Sequence, residues 1–291
     1  MSLAVVLGSG GLVGPAFHLA TLRRLRETGA FDPADVGLWV GTSGGAIVAS
    51  LLSTGCTLDE LCAAFGVTDT SAADPAIAIA VEHLLSLPIL RWGAMRRPRR
   101  ASRRLLPDWR QRVALRVSSL FSDGEIDPLD YAEPFRELIG EVWPESLRVC
   151  AVRVSDGSRV VFGPDSGIGL VEACAASCAV PGLFRPVTHD GVAYSDGGFY
   201  SPTNADVIID SRSSRALVLS PMSSPFNTRP VSPDHPIRVA LHGIVATERR
   251  NLLRHGIVAT VIEPTQAVRR AIGARYLDRT RLPAVIAAAS V

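Results

Sequence analysis

The sequence predicts an α/β fold of three layers, with a central, mostly parallel sheet between layers of helices. Three observations predict it. Two short apolar runs, Leu3 to Leu7 and Val36 to Val40, have the unbroken hydrophobicity of strands buried on both faces. Each run enters a small-residue turn and then a helix-like segment, so the chain opens β-α-β-α. With 291 residues, 47% hydrophobic and 20% charged, the chain can bury a large core. We expect one domain over 1–291, with a helical, basic capping or lid insertion at about 70–122.

The first strand ends in Gly8-Ser9-Gly10-Gly11. A helix from about Pro15 to Thr28 follows, with Phe17, Leu19, Leu22 and Leu25 on its apolar face, and Gly29 stops it. The second strand, near Gly37 to Val40, leads into Gly41-Thr42-Ser43-Gly44-Gly45 and a helix that ends near Gly55. Thr57 to Phe65 reads as a short helix, with Thr57 as N-cap and Glu60 at the capping-box position. Asp74 to Trp92 is apolar and punctuated by Pro75 and Pro88. An arginine run follows: Arg91, Arg96, Arg97, Arg99, Arg100, Arg103, Arg104, Arg110, Arg112 and Arg116, opposed only by Asp108. Arg148 to Ser155 and Ser158 to Phe162 form a hairpin pattern around Asp156-Gly157. Leu170 to Ala179 is a small-residue helix closed by Pro181, and Val192 to Ser195 is a short strand before Asp196-Gly197-Gly198. Val207 to Asp210, Ala216 to Leu219 and Ile257 to Ile262 are further strand candidates. Helices near Ile237 to Arg254 and from Thr265 to the C-terminus complete the set.

Composition narrows the chemistry. All 30 basic residues are arginine, since the chain has no lysine. That absence removes P-loop and Schiff-base lysines, Ser-Lys dyads and Tyr-Lys reductase pairs. A net charge of +2 argues against a protein that coats nucleic acid. The five cysteines, Cys56, Cys62, Cys150, Cys174 and Cys178, are odd in number and loosely spaced, so a disulfide framework is not expected. Cys174 and Cys178 share a helix face, where a small apolar role is favoured over a zinc site. No secretory leader pattern opens the chain and no apolar stretch has the length of a membrane span. A cytoplasmic protein is expected, free or peripheral on a membrane.

The segment Gly41 to Gly45 has the form of a nucleophile elbow, a tight strand-to-helix turn that lifts a serine hydroxyl. Flanking Gly41 and Gly45 allow the bend, and the following helix aims unpaired N–H groups at developing negative charge. The competing reading is a glycine-rich turn with a helix-capping serine. Parallel neighbouring strands end on one edge of the sheet, so the Gly10-Gly11 loop should lie beside the elbow. Backbone N–H groups of Gly10 and Gly11, with Gly44 as a third, are candidate oxyanion donors. For a base, Asp196 ends a short strand and is followed by two glycines that permit close approach; an ordinary Asp-Gly turn is the alternative.

Taken together, these motifs resemble the patatin-like phospholipase family. The resemblance rests on Ser9-Gly10-Gly11-Leu12-Val13-Gly14, the Gly41-x-Ser43-x-Gly45 elbow, the helix ending in Pro181, and Asp196-Gly197-Gly198, in that order. It implies a Ser-Asp dyad without a catalytic histidine: Ser43 as nucleophile, Asp196 as general base, and Gly10 and Gly11 as oxyanion hole. It also implies cleavage of lipid acyl esters through an acyl-enzyme, with neither metal nor cofactor. The chain departs from the family pattern twice, with Ser9 for a glycine and Val13 for the usual Arg or Lys. The second change puts contact with a substrate phosphate, or the loop geometry, in question.

Other readings compete. A Ser-His-Asp triad would draw on His242 or His255, which follow Asp196 in the order of α/β-hydrolases. His18, inside the first helix, reads as a packed residue, and His189-Asp190-Gly191 as a turn. His83 has no evident partner, and His235 reads as a surface loop residue. A catalytically inactive lipid-binding module is a second alternative. A nucleotide-binding oxidoreductase is a third, weakened because Gly8-x-Gly10-x-x-x-Gly14 lacks the G-x-G-x-x-G spacing. Arg96, Arg97, Arg99, Arg100, Arg103 and Arg104 suit an anionic membrane beside the apolar stretch Ile77 to Leu90. Few aromatics interleave them, so no nucleic-acid partner is expected.

Overall fold

The structure, a computed structural model, describes residues 2–87, 108–120 and 124–290. The arginines from Arg91 to Arg104, and with them the middle of the expected basic insertion, lie outside the described residues. Eight strands form one mixed sheet: β1 (Ser2–Leu7), β2 (Val36–Thr42), β3 (Leu147–Arg153), β4 (Arg159–Phe162), β5 (Val187–His189), β6 (Val192–Asp196), β7 (Ser213–Leu219) and β8 (Val258–Ile262). Pairing runs β5-β6-β3-β2-β1-β7-β8, and β4 also pairs with β3. The β3-β2-β1-β7-β8 pairs are parallel, whereas β4, β5 and β6 are attached by antiparallel pairs. The helices are α1 (Val13–Glu27), α2 (Gly44–Ser53), α3 (Leu58–Ala64), α4 (Pro75–Leu85), α5 (Trp109–Leu120), α6 (Pro128–Ala132), α7 (Arg136–Ile139), α8 (Leu170–Cys178), α9 (His235–Arg254), α10 (Gln266–Ile272) and α11 (Leu282–Ala289).

Strand residues alternate between the two faces, which makes the three layers. Val5, Leu7, Trp39, Val149 and Leu217 face the larger core, which α1, α2, α3, α4, α8, α10 and α11 cover. Ala4, Val6, Val40, Cys150 and Val218 face the other side, against Ile208, Leu252 of α9 and Ile257. Helix α5 lies on this second side, where Ala114 packs on Val152 and Tyr200. Helix α3 begins as its sequence indicated, with Thr57 and Glu60 completing a capping box.

Three elements differ from expectation. Val207 to Asp210 is not a strand but part of a 3₁₀ helix, Ala205–Asp210. It follows Asn204, which holds a left-handed conformation that turns the chain before a strand can start. The C-terminal helix is two helices, because Gly273 at φ 57 terminates α10. Val187–His189 is a short strand, joined to β6 by a turn at Asp190 and Gly191, both with positive φ.

The register at β3 decides where the functional loops meet. Val149 and Cys150 pair with both β2 and β4, and Ala151 and Val152 pair with both β4 and β6. A strand has two edges, so β4 holds one and β2 and β6 share the other in succession. The β2 pairing stops at Thr42↔Cys150, and the β6 pairing begins at Ala151↔Asp196. Ser43 therefore leaves the sheet at the point where Asp196 arrives.

Candidate active site

Ser43 sits between β2 and α2 at φ 56, ψ −131, a backbone conformation that L-residues avoid. Such strain costs on the order of 1–3 kcal/mol and persists only where the surroundings enforce it. Here the elbow is pressed against the end of β1. A Cβ on Gly45 would stand 2.1 Å from the Leu7 carbonyl oxygen, and one on Gly44 would stand 2.5 Å from the Gly11 carbonyl oxygen. Only glycine permits either approach.

The Ser43 hydroxyl lies beside the Asp196 carboxylate and favours its ionised form. Both side chains are buried, at 4% and 3% exposure. Asp196 Oδ1 accepts the Gly198 N–H at 2.7 Å. Burial pushes the Asp196 carboxyl up to about 6, against the Ser43 hydroxyl and the Gly198 N–H, which hold it down. No histidine bonds either residue among the described residues. His83 binds the Asp130 carbonyl, His242 the Glu263 carboxylate and His255 the Asn251 carbonyl. His18 Nε2 lies 2.8 Å from the Gly8 carbonyl, and burial lowers its pKa to about 4, so it is neutral. His235 opens α9 rather than lying in a loop.

The glycine loop lies beside the elbow, at the carboxyl ends of β1 and β2. Gly11 is left-handed, at φ 58, and with Gly44 it lines the cavity in front of Ser43. Gly10 is not part of that lining; its carbonyl accepts the Gly14 N–H as α1 begins. The N–H of Gly10, Gly11 and Gly44 has no acceptor among the described residues. The Ser9 N–H, in contrast, is bound to the Pro202 carbonyl at 2.8 Å, and the Val13 N–H to the Tyr276 carbonyl at 3.2 Å. The Ser9 hydroxyl turns away toward Pro202 and Met222, and Val13 is fully buried.

Sequence reasoning missed two buried residues that hold this geometry. Ser177 accepts the Ser43 N–H at 2.8 Å and donates to the Cys150 carbonyl at 2.6 Å. Asn204 donates to Thr42 Oγ1 at 3.1 Å and to the Gly197 carbonyl at 3.4 Å. A serine in a helix of alanines and an Asn shortly after a glycine pair were the available signals, and both patterns are common elsewhere.

The cavity holds about 60 Å³, room for roughly four to six water-sized groups. Leu84, Leu87, Phe135, Ile139, Val171 and Phe184 make its walls apolar. The Cys174 and Cys178 thiols join the lining; burial pushes Cys174 up to about 12 and Cys178 well above the usual thiol value, so both are neutral. Among the described residues, no group of His, Cys, Asp or Glu could hold a metal ion, and no helix is long and apolar enough to cross a membrane.

No curated protein matches this chain. Among solved structures, VipD from Legionella pneumophila aligns over 99% of this chain and 67% of its own, at 12% identity and a TM-score of 0.40. The type III effector ExoU aligns over 100% and 54%, at 16% identity and a TM-score of 0.36. ExoU of Pseudomonas aeruginosa in complex with SpcU aligns over 98% and 53%, at 15% identity and a TM-score of 0.32. This chain thus spans half to two-thirds of their lengths. A family model described as patatin-like phospholipase matches residues 5–209, well over half of the sequence. The chain belongs to the patatin-like phospholipase family of lipid hydrolases.

Proposed function

We propose that the protein hydrolyses carboxylic esters of phospholipids or related lipids as a serine esterase of the phospholipase A type, through a Ser43–Asp196 dyad and an acyl-enzyme. The observation that carries this reading is a Ser43 hydroxyl at the wall of an apolar cavity, beside the buried carboxylate of Asp196. Asp196 takes the Ser43 proton as Ser43 Oγ attacks the ester carbonyl. The oxyanion forms against the N–H groups of Gly11 and Gly44, with Gly10 behind them, at the N-terminus of α2. Collapse returns the proton to the leaving alcohol, and a water activated by Asp196 then frees the fatty acid from Ser43. A carboxylate is a weak base toward a hydroxyl in water, and exclusion of water by an acyl chain strengthens it. The cavity's apolar walls fit an acyl chain and offer no partner to a charged group.

The same reading places the protein in the cytoplasm, with peripheral attachment to anionic membrane through Arg96, Arg97, Arg99, Arg100, Arg103 and Arg104. The helical, basic stretch at about 70–122 serves as the cap of a single domain. Leu84 and Leu87, from its start, line the cavity, which supports that assignment.

The test is turnover of a lysophospholipid and of a p-nitrophenyl acyl ester by wild type, Ser43→Ala and Asp196→Asn, with fluorophosphonate labelling. Wild type is expected to label at Ser43 and turn over. Ser43→Ala should lose both, and Asp196→Asn should lose at least about 10³-fold in kcat, as for removal of a general base. Absence of labelling in wild type would favour the lipid-binding module instead.

A further inference from the structure

Glu248 is on α9, beyond the residues matched by the family model and on the sheet face away from the cavity. It is fully buried, and both of its oxygens are engaged. Oε1 accepts from Ser201 Oγ at 2.6 Å and from Arg110 at 3.0 Å. Oε2 accepts from the Ala205 N–H at 3.0 Å and from Thr203 Oγ1. Three of these four donors belong to one turn, Ser201 to Ala205.

That turn touches all three loops of the site. The Pro202 carbonyl accepts the Ser9 N–H of the glycine loop. Asn204 Nδ2 reaches Thr42, the residue before Ser43, and the Gly197 carbonyl, the residue after Asp196. Asn204 does this from a left-handed conformation at φ 54. The Ser201 hydroxyl, fixed on Glu248, accepts the Asn204 N–H at 3.0 Å and so holds Asn204 there. One carboxylate thus organises a turn that joins the glycine loop, the elbow and the acid loop.

The carboxylate is clamped from α5. Arg110 bridges Glu248 and Asp206, and Arg159 of β4 binds Asp206 from the other side. Both guanidinium groups lie over the Tyr200 ring, at 4.9 and 5.1 Å, and the Tyr200 hydroxyl donates to Asp108. A buried carboxylate beside a second one is costly unless cations and donors surround it, and here they do.

We propose that Glu248, clamped by Arg110, is a positioning residue for the Ser43–Asp196 pair, acting through the Ser201–Ala205 turn that ties Ser9, Thr42 and Gly197 together. The proposal rests on the catalytic reading of Ser43 and Asp196 given above. Glutamine in place of Glu248 keeps the shape but replaces one acceptor oxygen with an amide NH2, which only donates. Donors facing that end lose their partner, and Arg110 loses a counter-charge.

The experiment compares wild type, Glu248→Gln and Arg110→Gln by thermal unfolding, amide hydrogen exchange at Ser9 and Gly198, and p-nitrophenyl ester kinetics over pH 4–9. Glu248→Gln is expected to exchange at Ser9 and Gly198 about tenfold faster, although neither amide touches Glu248. Its kcat should fall about 10- to 100-fold with KM within about threefold, as for slight misplacement of reacting groups. The acid limb of its kcat–pH profile should move, which a mere loss of folded protein would not cause. Arg110→Gln leaves the turn's donors to Glu248 in place and covers the case in which Glu248→Gln does not fold. It should show the same changes at roughly a third of the size on a logarithmic scale. Unchanged exchange at Ser9 and Gly198, or kcat within twofold of wild type with an unmoved acid limb, in a folded variant overturns the proposal. If Ser43→Ala keeps wild-type turnover, the dyad reading fails by itself, and the exchange rates still decide whether Glu248 holds the loops.

Discussion

Asp196 carries opposite demands at the scale of a single residue. The proposed role as base needs it ionised, and burial favours it neutral, which is why its carboxyl is raised from 3.8 to about 6. As the base for Ser43 it must be deprotonated, so kcat for a neutral ester should fall tenfold per pH unit below about pH 6, with a plateau above it. A profile flat from pH 4 to 8 would remove Asp196 as the base. The stability consequence has the opposite sign. The folded state holds the Asp196 proton more tightly than the unfolded chain does, so this group stabilises the fold below pH 4. That stability is lost as pH rises through about 6. Asp196→Asn, which does not titrate, should therefore match wild type near pH 4 and exceed it above pH 6. The gain should reach about 3 kcal/mol, from roughly two pKa units at 1.36 kcal/mol each. Urea unfolding of the two proteins at pH 4 and pH 8 measures that difference; an Asn variant less stable than wild type at pH 8 would contradict the account. Stability and activity trade against each other at this carboxylate.

The element that brings Ser43 and Asp196 together is β3. Strands β2 and β6 share one of its edges end to end, and Ser177 of α8 bridges the join by linking the Ser43 N–H to the Cys150 carbonyl. Ser177→Ala leaves a buried donor and a buried acceptor unpaired. It should destabilise the protein by about 1–3 kcal/mol in urea unfolding and lower kcat by more than its effect on KM. A change below about 0.5 kcal/mol would mean that water replaces the hydroxyl at the join. This join also marks how far the sequence could be read. The β1-loop-α1 and β2-elbow-α2 units were legible because each is local: an apolar run, a glycine turn and an amphipathic helix contiguous in the chain. Ser43 and Asp196 were legible as candidates because small residues surround them. The sharing of one β3 edge was not, since short antiparallel strands such as Val187–His189 leave too few residues for a period to register. Val207 to Asp210 misled for a related reason. Its apolar run is buried against the second core as a 3₁₀ helix, whose course is set by Asn204 and by Glu248 from far along the chain.

For the molecule as a whole, charge distribution matters more than net charge. A balance of +2 conceals six arginines within Arg96 to Arg104, while the cavity beside Ser43 is apolar. The residues that flank this stretch touch the site region: Leu87 lines the cavity, and Asp108 accepts the hydroxyl of Tyr200, four residues beyond Asp196. An enzyme acting on membrane lipid gains from attachment to the surface that holds its substrate, because the second encounter becomes local. A basic residue near an anionic leaflet contributes about 1 kcal/mol, so even partial engagement of six arginines supports attachment that salt weakens. Replacing Arg96, Arg97, Arg99, Arg100, Arg103 and Arg104 together by Gln should lower partitioning onto phosphatidylglycerol-containing vesicles by about 100-fold or more, since some 3 kcal/mol is removed if only half of them engage. Binding to vesicles of phosphatidylcholine alone should change little. Wild-type binding should fall steeply between 50 and 500 mM salt, as the screening length shrinks to a few ångströms. Co-sedimentation over that salt range measures both effects. Partitioning that survives the six substitutions, or that ignores salt, would mean that apolar contact holds the protein on the membrane and that the arginines are a solvated face.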